Sequence, residues 1–159
     1  MSSGKIATGT IVAVLLALAA CATSPVDEQR RIDMEADIDE IMSYELDETE
    51  FGDARNCLSD TQYRNIRPLG DRHLLFEGRH DKQWVNVLHG RCVGVNDHSV
   101  FIMRPTSAGR SCDKDLFDIT ERAGSVVSGV GMGSTCVLGQ FKPVAKAQLQ
   151  EIERRLEMQ

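Results

Sequence analysis

The stretch HLLFEGRHDKQWVNVL, residues 73–88, determines the fold that we predict for this chain. Two short apolar runs, HLLFE at 73–77 and QWVNVL at 83–88, lie on either side of the turn-forming residues GRHD. Runs of this length, rich in aliphatic and aromatic residues and bounded by Gly and Asp, are typical of β-strands. We therefore predict two antiparallel strands here, joined by a tight turn.

Similar runs elsewhere predict further strands, at residues 62–67, 99–103, 115–120 and 136–141. The glycine-rich stretch GSVVSGVGMG, 124–133, predicts a loop between the last two. About six short strands joined by turns favour a mainly β fold, either a small antiparallel barrel or a sandwich. After Pro143, the spacing of Leu149, Ile152 and Leu156 predicts a C-terminal helix that would cap one open end of a barrel.

The segment that precedes the strands is strongly acidic. The chain has a net charge of −6, and residues 22–52 contain eleven acidic residues against two arginines. Within this segment Ile38, Ile41, Met42 and Leu46 recur at helical spacing. This charge asymmetry indicates a unit apart from the core, which we interpret either as a partly ordered helix or as a mobile tether. Nothing in the distribution forms the basic footprint of a nucleic-acid-binding protein.

The first twenty residues have the anatomy of a bacterial secretory signal. Lys5 and the amino terminus supply positive charge, and an uncharged segment from 6 to 20 follows, too short for a comfortable membrane span. The residues LAAC at 18–21 resemble the bacterial lipobox, which implies that Cys21 becomes the first residue of the mature chain and carries lipid. The alternative is a plain secretory signal in which the cysteine is incidental.

These features predict the address and the domain organisation. Ala22, rather than aspartate, follows the cysteine, and in such lipoproteins this implies sorting to the inner leaflet of the outer membrane, facing the periplasm. We divide the chain into a signal peptide at 1–20, a lipidated N-terminus with the acidic segment at 21–55, and a β domain with its C-terminal helix at 56–159.

Four cysteines remain once Cys21 is assigned to lipid. An even number in an exported chain favours two disulfides, and the spacings contain no C-x-x-C pair of the kind that binds zinc. Three pairings are possible. We favour Cys57–Cys136 with Cys92–Cys112 nested inside, because the outer pair would then connect the first strand to the last.

Three motifs carry a resemblance to a known family. They are RCVGV at 91–95, SCDKD at 111–115 and CVLGQFKPV at 136–144. In these motifs the chain resembles a family of small proteobacterial lipoproteins that is catalogued as a domain of unknown function. The resemblance extends from Asn56 to about Val144 and implies a fold and an address, but no catalytic residues.

The histidines are the candidates for chemistry. His73, His80, His89 and His98 are separated by seven, nine and nine residues, so no i, i+2 or i, i+4 metal-binding pair exists. If alternate turns lie at one end of a barrel, His80, His89 and His98 would converge on a metal ion; otherwise they are ordinary surface residues. Trp84, the only tryptophan, is expected in the core, with a ligand platform as the alternative.

The sequence therefore favours a non-catalytic protein. It contains no G-x-S-x-G motif and no phosphate loop followed by a helix and a lysine, and it indicates no cofactor. We expect a lipid-anchored envelope protein with a binding or structural role, whose partner is the membrane and an envelope protein or polymer. The alternative is a periplasmic metal-handling protein or envelope enzyme that uses the histidine-bearing turns.

Overall fold

A computed structural model describes residues 24–79, 81–121 and 134–158. Cys21, His80 and the glycine-rich stretch 124–133 lie outside these residues. The helices are α1 (Pro25–Met42), α2 (Glu48–Phe51) and α3 (Lys146–Glu157). The strands are β1 (Cys57–Ser59), β2 (Tyr63–Pro68), β3 (His73–Gly78), β4 (Gln83–Val87), β5 (Ser99–Arg104), β6 (Arg110–Cys112), β7 (Leu116–Glu121), β8 (Thr135–Val137) and β9 (Phe141–Pro143).

The strands form three antiparallel sheets. The largest has the order β2-β3-β4-β9, the second has the order β5-β7-β8, and β1 pairs with β6. The predicted mainly β fold is confirmed, in its sandwich-like form: among the described strands no barrel closes. The described residues form nine strands rather than the six predicted, because β1 and β6 were missed and the predicted strand at 136–141 is two strands in different sheets.

The predicted hairpin is confirmed as β3–β4. Phe76 lies opposite Trp84 in the register, and the turn is closed by a hydrogen bond from the Gly78 N–H to the Lys82 carbonyl. A Cβ at Gly78 would lie 2.4 Å from the same carbonyl oxygen, so the strand can end in this turn only with glycine. Asp81 takes a positive φ of 59°, a conformation in which Asp is more easily accommodated than most residues.

The central strands β3 and β4 of the largest sheet are buried on both faces, which explains the unbroken apolar run of β3. Leu74 and Phe76 point into a core between the sheets, where Phe117 and Phe141 are fully buried. Leu75, between them, points into a second core beneath the helices. Successive side chains of a strand alternate between faces, so three consecutive apolar residues serve two cores.

The acidic segment belongs to this second core. Ile38 and Ile41 of α1 are buried there against Leu75, Val85 and Ile152. The predicted helix is therefore confirmed for residues 25–42, whereas the alternative of a mobile tether and the interpretation as a unit apart from the core are wrong. Ile38 and Ile41 pack on the sheet, while the acids face solvent or basic side chains. No helix in the described ranges is long and apolar enough to cross a membrane.

The C-terminal helix is confirmed, but not its predicted position. Leu149 and Ile152 of α3 are buried, and Leu156 packs against the same cluster. The helix lies beside α1 on the face of the largest sheet, where Arg155 contacts Asp37 at 2.7 Å, rather than capping the end of a barrel.

The four cysteines form two disulfides, as predicted, but the nested pairing is wrong. The bonds are Cys57–Cys112 and Cys92–Cys136, so the two loops interleave. The first strand pairs with β6, not with the last strand, and this places Cys57 directly opposite Cys112 with 4.0 Å between their Cα atoms. The other disulfide is buried and joins the loop before β5 to β8.

Candidate functional site

Two clefts lie at opposite ends of β9, the edge strand of the largest sheet. The first, which we call the Trp84 cleft, has a volume of about 370 Å³ and lies where β4 begins and β9 ends. The residues that define its chemistry are Phe51, Arg55, Lys82, Gln83, Trp84 and Lys146. The second, the Arg72 cleft, has a volume of about 450 Å³ and lies where β4 ends and β9 begins. The residues that define its chemistry are Asn56, Arg72, His89, Asp113, Gln140 and Lys142.

The walls of the Trp84 cleft are fixed by backbone hydrogen bonds. Arg55 exchanges two with Phe141, at 2.8 and 2.9 Å, which extends the sheet by one bridge beyond β9. The Val144 N–H donates to the Gln83 carbonyl at 3.1 Å and joins the end of β9 to the start of β4. Trp84 is 5% exposed, so the prediction that it belongs to the core is confirmed, and its remaining surface lines the cleft.

The charges of the Trp84 cleft are not balanced by contact. Arg55, Lys82 and Lys146 line it, together with Glu50 and Asp81. Within the part of the chain that the structure describes, none of the three cations has an ion-pair partner. The Gln83 Oε1 atom is buried and also lacks a hydrogen-bond donor. The cleft therefore offers cations, one unsatisfied acceptor and an aromatic wall to a ligand.

The Arg72 cleft contains His89, one of the four histidines that the sequence singled out. His89 Nε2 lies 2.6 Å from Asp113 Oδ1, at hydrogen-bond distance. Arg72 and Lys142 have no ion-pair partner among the described residues, and the Arg72 Nε atom is buried without an acceptor. Asp113, the one carboxylate in the wall, is already held by His89.

The predicted convergence of histidines finds no support where it is observable. His98 lies in the turn before β5, where its N–H donates to the Asn96 side chain at 2.8 Å, and its own side chain is exposed. His80 lies outside the described residues. Among the residues that are described, no three His, Cys, Asp or Glu side chains are placed to hold a metal ion.

His73, by contrast, is fully buried beneath α1. Its Nε2 atom contacts Asp39 Oδ1 at 3.1 Å, and its Nδ1 atom has no partner in the described structure. Burial lowers the pKa of His73, and the nearby Asp39 carboxylate only partly opposes this effect. A neutral imidazole in this position is a structural contact between α1 and the sheet.

Sequence reasoning missed the unpaired cations of both clefts. Arg55 follows α2, Arg72 precedes β3, Lys82 lies in the β3–β4 turn, Lys142 lies in β9 and Lys146 begins α3. Five separate segments supply these residues, so no motif or spacing connects them. The sequence carries no signal for these residues, because only the three-dimensional contacts show which cations remain after the acids of α1 have paired with arginines from other segments.

Comparison with known proteins identifies one family. The model of a family of unknown function, DUF6491, matches residues 4–158. No protein of curated function and no solved structure matches the chain.

Proposed function

We propose that this chain, which belongs to the DUF6491 family of unknown function, is a lipid-anchored binding protein of the bacterial cell envelope that holds an anionic partner in the Trp84 cleft. The role is non-catalytic. The observation that carries the proposal is the group of three cations, Arg55, Lys82 and Lys146, that line one cleft without an ion-pair partner among the described residues.

The arginines that contact helices α1 and α3 differ from these three cations. Arg91 contacts Glu28 at 2.5 Å and Arg155 contacts Asp37 at 2.7 Å, so these arginines are matched by carboxylates. In an acidic protein, a cation that finds no carboxylate attracts anions from solution, and walls of low polarity strengthen that attraction. The three cations outnumber the two carboxylates of the cleft, Glu50 and Asp81, and this excess of positive charge favours an anionic ligand over a neutral one.

The other groups of the cleft favour an acidic saccharide. The buried Gln83 Oε1 atom requires a donor such as a hydroxyl group, because an unsatisfied buried acceptor costs about 1–3 kcal/mol. Phe51 offers apolar surface for the face of a sugar ring, and the small exposed part of Trp84 extends that surface. A carboxylated polysaccharide supplies the carboxylate, the hydroxyl groups and the ring in each residue, and it fits the expectation of an envelope polymer as partner.

The anchor is supported by the sequence before the described residues. If Cys21 carries lipid, only residues 22–24 separate it from α1, which begins at Pro25. At about 3.6 Å per extended residue, these place the start of the helix within roughly 14 Å of the lipid attachment. Because α1 packs on the sheet, the domain lies close to the membrane surface. We place it at the inner leaflet of the outer membrane, facing the periplasm.

Trp84 makes binding directly measurable, since it is the only tryptophan. We expect oligogalacturonate to produce a saturable change in tryptophan fluorescence, and a neutral galactose oligomer of equal length to bind about tenfold more weakly or worse. The double variant Arg55→Gln/Lys146→Gln should lose at least that factor. Arg64→Gln is the matched control, because Arg64 is an exposed arginine of β2 outside the cleft. Equal responses to the charged and neutral oligomers would refute the proposal.

The anchor has its own test. The wild-type protein should sediment with membranes, and its mass should include the acyl chains. Cys21→Ala should lose the added mass and appear in the soluble fraction. A wild-type protein with an unmodified Met1 would remove the lipoprotein part of the proposal while leaving the cleft untouched.

The alternative function, metal handling or catalysis by the histidine-bearing turns, depends on the contact between His89 and Asp113. Two ligands do not complete a zinc site, which usually has four. Growth with excess zinc and copper, followed by metal analysis, decides the matter. Stoichiometric metal that is lost in His89→Ala would favour the alternative over a saccharide-binding role.

A further inference from the structure

The Arg72 cleft is a second preformed site, separate from the Trp84 cleft. We propose that it binds a phosphoryl group, either as free phosphate or as a phosphomonoester on a larger molecule. This inference does not depend on the saccharide in the Trp84 cleft, because it concerns other side chains at the opposite end of β9.

The first reason is an unused donor. The Arg72 Nε atom is buried and has no hydrogen-bond acceptor in the described structure, although Arg72 lines an open cleft. A buried guanidinium donor without an acceptor is unfavourable, so the site gains most from a ligand that supplies oxygen atoms. The planar guanidinium donates two parallel hydrogen bonds to a phosphate or a carboxylate.

The second reason is the balance of charge and donors around Arg72. Lys142 contributes a second cation that has no ion-pair partner among the described residues. The Asn56 side-chain oxygen accepts a hydrogen bond from the Gln140 amide nitrogen at 3.4 Å, which leaves the Asn56 amide nitrogen as a further donor for a ligand. The Asp113 carboxylate is held by His89 at 2.6 Å, so it is not free to occupy the cations.

The number of donors favours phosphate over carboxylate. A guanidinium, an ammonium and an amide approach from three different segments, before β3, in β9 and before β1. A carboxylate has two oxygen atoms in one plane, whereas a phosphoryl group presents three in a tetrahedral arrangement. The cleft volume of about 450 Å³ also leaves room for the remainder of a phosphate ester.

The third reason is rigidity. The Leu88 N–H donates to the Arg72 carbonyl at 2.9 Å, and the Asp113 N–H donates to the Asn56 carbonyl at 2.6 Å. Asn56 and Asp113 each adjoin a cysteine of the Cys57–Cys112 disulfide. The structure thus places the donors before a ligand arrives, which reduces the entropic cost of binding.

A close approach of two backbone segments completes the wall. The buried Asn86 side chain both donates to the Gly139 carbonyl at 2.7 Å and accepts from the Gly139 N–H at 2.9 Å. A Cβ at Gly139 would lie 1.9 Å from the Val87 carbonyl oxygen. This contact fixes the segment between Gln140 and Lys142 relative to β4.

The test is a titration of the full-length mature domain with inorganic phosphate, followed by backbone-amide NMR. We expect saturable shifts confined to Asn56, Gly139, Gln140 and their neighbours. Arg72→Gln and Lys142→Gln should each weaken binding roughly tenfold or more, since each removes a charge-assisted contact. Arg64→Gln, an exposed arginine on β2, should leave the affinity unchanged.

A parallel titration with glycerol 1-phosphate distinguishes the two sources of the phosphoryl group. Tighter binding of the ester than of inorganic phosphate assigns the site to a phosphorylated molecule, and the reverse assigns it to free phosphate. Equal loss of affinity in Arg64→Gln and Arg72→Gln would overturn the proposal, as would shifts spread over the whole surface. If Arg72→Gln does not fold, judged from its amide spectrum, Lys142→Gln decides alone, and unchanged binding in that variant would overturn the proposal.

Discussion

Replacing Ile38 by Ala tests whether the acidic helix is part of the folded domain. Ile38 is 2% exposed and packs with Leu75, Val85 and Ile152 in the core beneath the helices. Deleting most of a buried isoleucine side chain typically costs 2–5 kcal/mol, so we expect the free energy of unfolding to fall by about 3 kcal/mol. If residues 25–42 were a mobile tether, the same substitution would change almost nothing.

Ile32 provides the matched control, because it is the same residue type in the same helix but is 43% exposed. Ala is a better helix former than Ile, which offsets the small loss of contact, and we expect Ile32→Ala to lie within about 0.5 kcal/mol of wild type. Both variants are measured by urea unfolding with the disulfides intact.

The urea midpoint converts the free energy into a direct observable. With a slope of roughly 1.5 kcal/mol per molar urea, a loss of about 3 kcal/mol moves the midpoint of Ile38→Ala down by about 2 M. The midpoint of Ile32→Ala should stay within a few tenths of wild type. Equal shifts in the two variants would refute the packing of α1 on the sheet. No shift in either variant would support a mobile tether instead.

The remaining predictions concern the Gly139 contact, the buried histidine and the disulfides. Gly139→Ala should destabilise the protein by about 3 kcal/mol or more in the same urea assay, because the added Cβ would clash with the Val87 carbonyl. The control is Gly90→Ala, which should cost less than about 1 kcal/mol because a Cβ at Gly90 would meet nothing within 4 Å. Because the pKa of His73 is lowered in the folded protein, the unfolded chain binds more protons, and stability should fall as the pH drops from 7.5 through the ordinary value of 6.5 and on towards the folded-state pKa. The urea midpoints at pH 7.5 and 5.5 should therefore differ less in the His73→Gln variant than in wild type. An identical difference in the two proteins would argue against a neutral buried imidazole. Peptide mapping without reduction should recover two linked pairs, and any nested pair would contradict the fold. The expected pairs are Cys57–Cys112 and Cys92–Cys136.

Local pattern was enough to locate the longer strands. The β3–β4 hairpin follows from two apolar runs around a turn, and its bounds agree with the prediction to within one residue. The short strands β1 and β6, of three residues each, carry too little pattern to be distinguished from loops. The interruption between β8 and β9 at Gly139 could not be predicted either. The glycine is required by the close approach of Val87, which lies more than fifty residues earlier in the chain.

Long-range pairing explains the errors in the disulfides and the helix. The favoured pairing assumed that the first strand meets the last, but β1 meets β6 instead, and sequence gives no register between distant strands. The spacing of Ile38 and Ile41 predicts the helix correctly, whereas the charge of the segment suggests a unit apart from the core, which is wrong. The net charge of a helical segment describes its exposed face, whereas its burial depends on the apolar side chains of the opposite face. A strongly charged helix can therefore still pack against the core.

The uneven distribution of charge therefore has a different meaning from the one that the sequence suggested. Several acids of α1 neutralise arginines that the fold brings to the helix, such as Arg91 and Arg155. Pairing of this kind uses up cations at one side of the domain and leaves those near β9 unmatched. A cation without an ion-pair partner in a concave, preformed wall makes the folded state less stable than it would be with a carboxylate beside that cation. An anionic ligand that binds there restores this stability. We therefore expect the protein to unfold at a higher urea concentration when an anion is bound in either of the two clefts at the ends of β9.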